Sequence, residues 1–277
     1  MENTPVKYSP EQQSNIAAIV LEAKAKGITN EFAIASILSV VSKETNFKYK
    51  AESTYRTTDN ARIRKIFGSR LSMYSESDLT TLKKNDAQFF DAVYGYKTEV
   101  GRKNGNTAPG DGWKFRGRGP NQITFKNLYA KLSKQIGVDL INNPDLANSP
   151  KVAAKIVIQY MINAFASAPK TTLALYRSTG INDFKSLSDS LGAFYHANAG
   201  WGKSKSAIDL DPTGGLKKAK SASSRFYEFV SHNKVAVASG GGAFFFTDGL
   251  SHIDNSETEE KEERTDISDQ VKPDEIV

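Results

Sequence analysis

The chain has 277 residues, no cysteine and only three histidines. Without cysteine there can be no disulfide framework, no thiolate zinc site and no cysteine nucleophile. The histidines, His196, His232 and His252, lie far apart in the sequence, so we do not expect a histidine-rich metal centre. No apolar run approaches the ~18 residues of a membrane-spanning helix. The sequence therefore predicts no membrane span, and an activity that needs neither a metal nor another cofactor.

The first residues, Met-Glu-Asn-Thr-Pro, show neither the basic nor the apolar region that is typical of a secretory leader. We therefore expect a protein that is made in the cytoplasm and delivered elsewhere by other means. Hydrophobic residues make up 39% of the chain, which is enough to bury a core. The length suits one large domain, or one domain with an appendage.

The formal net charge of +6 is unevenly distributed along the chain. Residues 254–277 hold ten acids and three bases, which leaves residues 1–253 with 34 of the 37 bases and 21 of the 31 acids. A basic body is attracted to polyanions such as nucleic acid, a membrane surface or a bacterial wall. The acidic end has the composition of a segment that is disordered or bound to a partner. No nucleic-acid-binding motif accompanies the positive charge, so nucleic acid is not the expected partner.

Apolar residues recur at helical spacing through most of residues 1–233, which predicts a mainly α-helical domain. Thr29 or Asn30 is predicted to cap the second helix, and Ser77 a later one. The predicted helices are 10–26, a segment after residue 30, 60–74, 77–94, 125–136, 149–166, 183–197 and 216–231. Glycines crowd residues 101–122, which indicates a sharply bent loop or a close approach of the backbone to another group.

An appendage is predicted over residues 234–277. It begins with a flexible joint at 239–242, where one serine precedes three glycines. Residues 243–246 are apolar and form either a short strand or a docking anchor. The acidic tail follows them.

Two glutamates are the first candidates for chemistry. Glu44 continues the apolar stripe of its predicted helix, where a carboxyl must be partnered or protonated; the alternative is a helix-end carboxylate turned to solvent. Glu52 follows in the polar stretch Ala-Glu-Ser-Thr-Tyr. One carboxyl in an apolar niche and one in a hydrated niche is the arrangement that glycoside hydrolysis uses for its acid and its base. The spacing alone is common and does not decide the matter.

The most specific feature is the glycine-rich run at 110–124, which reads GDGWKFRGRGPNQIT. It resembles the GDGWxYRGRGxIQxT segment of family-19 glycoside hydrolases, which include plant-type chitinases and phage endolysins, and it is closest to the endolysin or virion-associated lysin branch. Shorter stretches that resemble the same family are residues 104–106, 109–112, 129, 143–146, 152–154 and 198–200. The resemblance covers about residues 15–230.

The resemblance implies a mainly helical fold of the α+β lysozyme-like superfamily, with two lobes and a substrate groove. It also implies inversion, for which the two carboxyls lie roughly 6.5–9.5 Å apart. Glu44 corresponds to the general acid and Glu52 to the second carboxylate, which acts as the base, and Thr54 is predicted to hold the attacking water. Lys43 replaces the histidine of the family's motif and the two glycines after it are missing. An adjacent ammonium favours the charged form of the acid, which works against its role.

The loop side chains offer forked guanidinium donors, amides suited to sugar hydroxyls and N-acetyl groups, and aromatic faces. Trp113 either stacks on a sugar ring or belongs to the core, and Phe115 is expected in the core. Arg118 is expected either to brace a catalytic carboxylate through a salt bridge, which is the favoured alternative, or to contact substrate directly. The predicted substrate-binding residues are Trp113, Arg116, Arg118, Asn121, Gln122 and Asn198.

Three functions remain open on this reading. The first is a peptidoglycan-degrading glycosidase of the endolysin or tail-lysozyme type, acting on the bacterial cell wall. The second is a chitinase. The third is a structural component of a phage tail or injection device that carries a lysozyme-like domain and is bound to a tail or particle protein through residues 240–277.

Overall fold

The computed structural model describes residues 8–167, 179–199, 215–232, 235–237 and 244–246. Within these ranges the chain is mostly helical, which confirms the predicted fold class. The helices are α1 Pro10–Ala25, α2 Glu31–Thr45, α3 Asn60–Phe67, α4 Glu76–Leu82, α5 Asp86–Tyr94, α6 Glu99–Lys103, α7 Asp111–Lys114, α8 Lys126–Ile136, α9 Pro150–Ser167, α10 Leu187–Ala199 and α11 Gly215–His232. Short 3-10 helices span Gly68–Leu71 and Pro144–Asn148. Among the helices in these ranges, none is long and apolar enough to cross a membrane.

Polar caps set several helix boundaries. Asn30 caps α2, since its side chain accepts a hydrogen bond from the Ala33 amide, and this settles the choice between Thr29 and Asn30. The predicted cap at Ser77 is wrong, because Ser75 forms a capping box with Asp78 instead.

Two predicted helices are shorter or more divided than their apolar pattern indicates. The predicted helix 77–94 is two helices, α4 and α5, and the side chain of Asn85 caps the second. The predicted helix 60–74 ends early, where Gly68 takes φ +54° and a 3-10 turn follows.

The chain divides into two compact units. Within the described residues, the first unit contains 8–48 together with those from Ala153 onward. Its central helix is α2, in which the nine residues 33–41 are all buried. This helix packs against α10 and α11, which explains why it is apolar almost all round.

The first unit also contains two short strands. β1, Val235–Val237, pairs antiparallel with β2, Phe244–Phe246, so that Val235 lies opposite Phe246. The strand alternative is therefore confirmed for residues 244–246. The predicted joint at 239–242 and the acidic tail at 254–277 lie outside the described residues, and the predicted boundary near residue 233 stays a prediction.

The second unit, Tyr49–Val152, is built around a cluster of aromatic side chains. Tyr55 lies 5.2 Å from Phe67 and 5.1 Å from Phe89, measured between ring centroids. Tyr94, the last residue of α5, lies 5.8 Å from Phe67 and stacks at 6.1 Å on Phe90. Interlocked rings of this kind leave few rotamers available, so the phenol hydroxyls at the edge of the cluster have fixed positions.

Candidate active site

Glu52 lies at the edge of this aromatic cluster, directly against the glycine-rich loop. Its Oε1 accepts hydrogen bonds from the hydroxyls of Tyr55 at 2.9 Å and Tyr94 at 3.1 Å. Its backbone amide donates to the Gly117 carbonyl at 2.7 Å, and its Oε2 accepts a long bond of 3.4 Å from the Gly117 amide. The carboxyl is therefore held by groups from three separate stretches of the chain.

The surroundings of Glu52 alter its acidity. Burial raises the pKa of Glu52 to about 6, although the hydrogen bonds from Tyr55, Tyr94 and Gly117 and the charge of Arg116 act in the opposite direction. A carboxyl with this pKa is largely ionised at neutral pH and can also take up a proton there. Both properties suit a general base.

Gly117 is required by close approach rather than by its backbone angle. A β-carbon at this position would lie 2.8 Å from Gln122 Oε1 and 3.3 Å from Glu52 Oε2. Gly119, by contrast, takes a positive φ of +70°. Gly119 also lies so close to Ala147 that a β-carbon would be 2.7 Å from its carbonyl oxygen.

Gln122 is committed largely to holding the loop. Its Nε2 donates to the carbonyls of Lys50 at 3.1 Å and Gly119 at 3.0 Å, and its backbone takes φ +45°. Both amide protons are therefore in use, which leaves Oε1 as the atom that could contact substrate. Asn121, beside it, is partly exposed.

Thr54 is exposed and lies two residues after Glu52. Its hydroxyl donates to Asp86 Oδ1 at 2.6 Å, and Arg56 pairs with the same carboxylate through Nη2 at 2.9 Å. Because its proton is given to Asp86, Thr54 can hold a water only as an acceptor. Its predicted role stays a prediction under that restriction.

Trp113 and Arg116 form a stacked pair. The guanidinium carbon of Arg116 lies 3.5 Å above the centroid of the Trp113 ring, and Nη1 donates to the Trp113 carbonyl at 2.9 Å. One face of the indole is thus covered by a cation, and the ring also packs against the aromatic cluster, 5.5 Å from Phe90 between centroids, so Trp113 lies at the border of the core. Burial, followed by the charge of Arg118, lowers the pKa of Arg116. Phe115 is 1% exposed, which confirms its expected place in the core.

Arg118 does not brace a catalytic carboxylate as expected. The residue is 2% exposed, and its Nε pairs with Asp145 Oδ1 at 2.7 Å. Its Nη1 donates to the Lys114 carbonyl at 2.7 Å and to the Tyr129 hydroxyl at 3.1 Å. These contacts assign Arg118 to the support of the loop, because its donors are directed at the protein itself.

Glu44 lies in the last turn of α2, in the first unit. Its side chain is 16% exposed, and its Oε1 pairs with Lys43 Nζ at 2.8 Å, so the alternative of a carboxylate turned to solvent is wrong. Burial raises the pKa of Tyr160, and the charge of Glu44 raises it further, which identifies Tyr160 as a neighbour of this acid. Asn198 belongs to α10, and its side chain lies outside the described part of the chain.

The sequence reading missed the residues that hold the candidate catalytic groups. Tyr55, Tyr94 and Asp86 were not singled out, although each donates to or accepts from a predicted site residue. Tyr55 stands only three positions after Glu52, and this proximity could have suggested it. Tyr94 and Asp86 reach the site only through folding, so no local pattern points to them.

A comparison with protein families places this site in a known context. Residues 53–176 match the glycoside hydrolase family 19 profile described as chitinase class I. The matched range contains Thr54 and the predicted loop residues 113–122. It begins one residue after Glu52 and does not include Glu44 or Asn198.

Individual relatives match shorter stretches. A glycosyl hydrolase family 19 domain-containing protein of Haemophilus influenzae is 44% identical over 57 residues, which cover 21% of this chain and 28% of that protein. A basic endochitinase of Vitis vinifera is 40% identical over 65 residues, covering 21% of each chain. Endochitinase CH25 of Brassica napus is 31% identical over 83 residues, covering 27% of this chain and 26% of its own. The aligned part thus spans about a quarter of the length of these relatives.

Proposed function

We propose that this protein hydrolyses β-1,4-linked amino-sugar polymers, with bacterial peptidoglycan as the substrate, because residues 53–176 match the family-19 glycoside hydrolase profile. The observation that carries the proposal is the environment of Glu52. A carboxyl with a pKa of about 6 is held by two phenol hydroxyls against a loop that lacks a side chain at Gly117. That arrangement suits the activation of a water molecule.

The proposed reaction inverts the anomeric carbon. Water attacks that carbon and gives a proton to Glu52, while the glycosidic C–O bond breaks and its oxygen takes a proton from Glu44. In the structure Glu44 Oε1 is paired with Lys43 Nζ at 2.8 Å, and this contact opens when Glu44 turns to the glycosidic oxygen. Solvent then restores both protonation states. No covalent intermediate is formed.

Charge supports peptidoglycan over chitin. Residues 49–152, which contain Glu52 and the loop, carry 18 lysines and arginines against 10 aspartates and glutamates. Peptidoglycan bears carboxylates on its lactyl-linked peptides, whereas chitin is uncharged. A basic surface concentrates the first polymer and gives no advantage with the second.

Chitin is the second candidate substrate, and the names of the plant relatives favour it. Incubation with purified sacculi and with colloidal chitin separates the two. We expect release from sacculi to be faster by roughly tenfold or more, which is within the discrimination that one extra substituent allows. A faster release from chitin would make this protein a chitinase. No release from either polymer would contradict the proposal as a whole.

Mass spectrometry of the released muropeptides identifies the cleaved bond from the sugar at the reducing end. Proton NMR of the first products should show the α-anomer, as inversion requires. Glu44→Gln should lower kcat by about 10²–10⁴-fold, the range of a lost general acid. Unchanged activity in that variant would remove Glu44 from the mechanism.

We also propose that the protein belongs to the phage endolysin or virion-associated branch, with residues 240–277 as its tether to a tail or particle protein. The acidic composition of residues 254–277 supports this, because it differs so sharply from the basic remainder. Truncation after Ile253, which keeps β2 and removes the acidic segment, should abolish co-sedimentation with phage particles while hydrolysis of sacculi persists. Particles that retain the truncated form would refute the tether.

A further inference from the structure

The two oxygens of the Glu52 carboxyl are held very differently. Resting on the proposed function, we propose that Tyr55 and Tyr94 are positioning residues that fix Oε1, and that Oε2 is the oxygen that takes the proton of the attacking water. The asymmetry follows from the hydrogen bonds: two hydroxyls donate to Oε1 at 2.9 and 3.1 Å. Within the described residues, Oε2 has one long bond of 3.4 Å, from the Gly117 amide.

Acceptor capacity explains why the water is directed to Oε2. Each carboxylate oxygen has about two lone-pair sites, and the two phenol hydroxyls occupy both of those on Oε1. Oε2 keeps capacity for a further donor, and a β-carbon at Gly117, which would lie 3.3 Å from this oxygen, is absent. A proton taken from water therefore resides on Oε2, while both tyrosine bonds to Oε1 persist.

The aromatic cluster holds the two hydroxyls in place. The ring of Tyr55 is packed by Phe67 and Phe89, and that of Tyr94 by Phe90 and, at 5.4 Å, by Phe125. Because neither ring can rotate without disturbing the core, the hydroxyls are directed at Oε1 before substrate binds. Such prior organisation removes the need to reorient the base during the reaction.

The tyrosines also affect how easily Glu52 is ionised. The charged or titratable groups that act on it are Tyr55, Tyr94 and Arg116, and the Arg70 guanidinium lies 5.8 Å from the Tyr94 ring. Each phenol hydrogen bond favours the carboxylate over the neutral acid. Removal of either hydroxyl should therefore raise the pH at which Glu52 becomes ionised.

The test is the pH dependence of kcat/KM for Tyr55→Phe and Tyr94→Phe. A base works only when ionised, so the acid limb of the wild type should lie near pH 6. Each variant should shift this limb upward by about one pH unit, the effect of one hydrogen bond to a charged group. At pH 5 the kcat/KM of each variant should therefore be roughly tenfold lower than that of the wild type. At pH 8 the two values should be similar, and the alkaline limb should stay in place.

Tyr49→Phe is the matched control. Tyr49 is also a buried phenol of the same unit, 8% exposed, but its hydroxyl has no hydrogen-bond partner among the described residues. Its removal should leave the acid limb unchanged. An acid limb that stays at the wild-type pH in both test variants would overturn the proposal, and so would an equal shift in Tyr49→Phe.

A second measurement separates this inference from the proposed function. Carbon-13 NMR titration of the Glu52 carboxyl, assigned by comparison with Glu52→Gln, follows its ionisation without any substrate. If the enzyme cleaves neither polymer but the titration midpoint rises in both tyrosine variants, the hydroxyls hold Glu52 and the proposed function is wrong. If the midpoint stays at the wild-type value, the positioning role is wrong whatever the activity.

Discussion

Replacement of Glu52 by glutamine should abolish hydrolysis and, above pH 6, leave the protein more stable than the wild type. Loss of a general base lowers kcat by about 10²–10⁴-fold, and the water-activating step here has no other carboxylate within the described contacts of Glu52. The gain in stability arises because burial disfavours the ionised carboxylate of Glu52. The same burial raises the pKa of this residue and so suits it to act as a base. Activity and stability are expected to change in opposite directions, which a merely damaged fold could not produce.

The sign of the stability effect follows from the pKa of Glu52. This pKa is about 6 in the folded protein and 4.5 for an unperturbed glutamate. A raised folded pKa contributes stability that is fully present below pH 4.5 and is lost as the pH rises through 6. The loss amounts to about 2 kcal/mol in the free energy of unfolding. Glutamine carries no charge at any pH, so the variant avoids this loss.

Chemical denaturation at pH 4 and at pH 7 measures the effect. The advantage of Glu52→Gln should appear at pH 7 and vanish at pH 4. The gain in the free energy of unfolding should be at most about 2 kcal/mol, because the glutamine amide replaces the carboxylate that accepts a hydrogen bond from the Gly117 N–H. Glu99→Gln is the control, because Glu99 is an exposed residue of α6 paired with Lys103 and should change neither activity nor core stability. Retained hydrolysis, or equal destabilisation at both pH values, would contradict the assignment.

The glycine-rich motif and the helical periodicity made the fold class and the candidate base accessible from the sequence. The groups that hold the base were not accessible in this way. Tyr94 comes from the end of α5, forty-two positions after Glu52, and a tyrosine on an apolar helix face looks like any other core residue. Its hydroxyl gains a function only because the aromatic cluster aligns it with Oε1. Packing in three dimensions carries that information, and spacing along the chain does not.

The sequence indicates an N-terminal cap for α4 but points to the wrong serine. Ser75 and Ser77 both precede the apolar positions of α4, and both are good caps. The deciding feature is the acid three residues after Ser75, because the Asp78 carboxylate accepts a hydrogen bond from the backbone amide of the cap itself. The break at Asn85 was missed for a related reason: the apolar repeat continues across it, so periodicity alone joins α4 to α5.

Arg118 illustrates a residue type whose chemistry fits several roles. A guanidinium beside glycines suggests recognition of a ligand, and only the fold reveals that its donors face Asp145, Lys114 and Tyr129. Arg116, two positions earlier, is partly exposed and has a buried Nε without a hydrogen-bond partner among the described residues. The two arginines look alike in the sequence, but Arg118 supports the loop whereas Arg116 belongs to the candidate active site.

Arg118→Met should lower the free energy of unfolding by about 3 kcal/mol, because it leaves the carbonyl of Lys114 and the buried hydroxyl of Tyr129 without the guanidinium donor. Asp145 is mostly exposed, with 78% of its side chain accessible, so its charge can be hydrated after the loss and adds little. At a temperature where the variant is fully folded, KM should stay within about twofold of the wild type, since the guanidinium makes uniform support contacts rather than substrate contacts.

Arg116→Met is the matched comparison, since it removes a second guanidinium from the same loop. It should cost less in the free energy of unfolding and more in kcat/KM, because Arg116 acts on Glu52 by charge and stacks on Trp113. Thermal unfolding and steady-state kinetics on sacculi measure both quantities for each variant. A raised KM with unchanged stability in Arg118→Met would restore that residue to the substrate-binding set. The opposite result would mean that the loop is held in shape by Arg118 and that Arg116 is the guanidinium which serves the reaction.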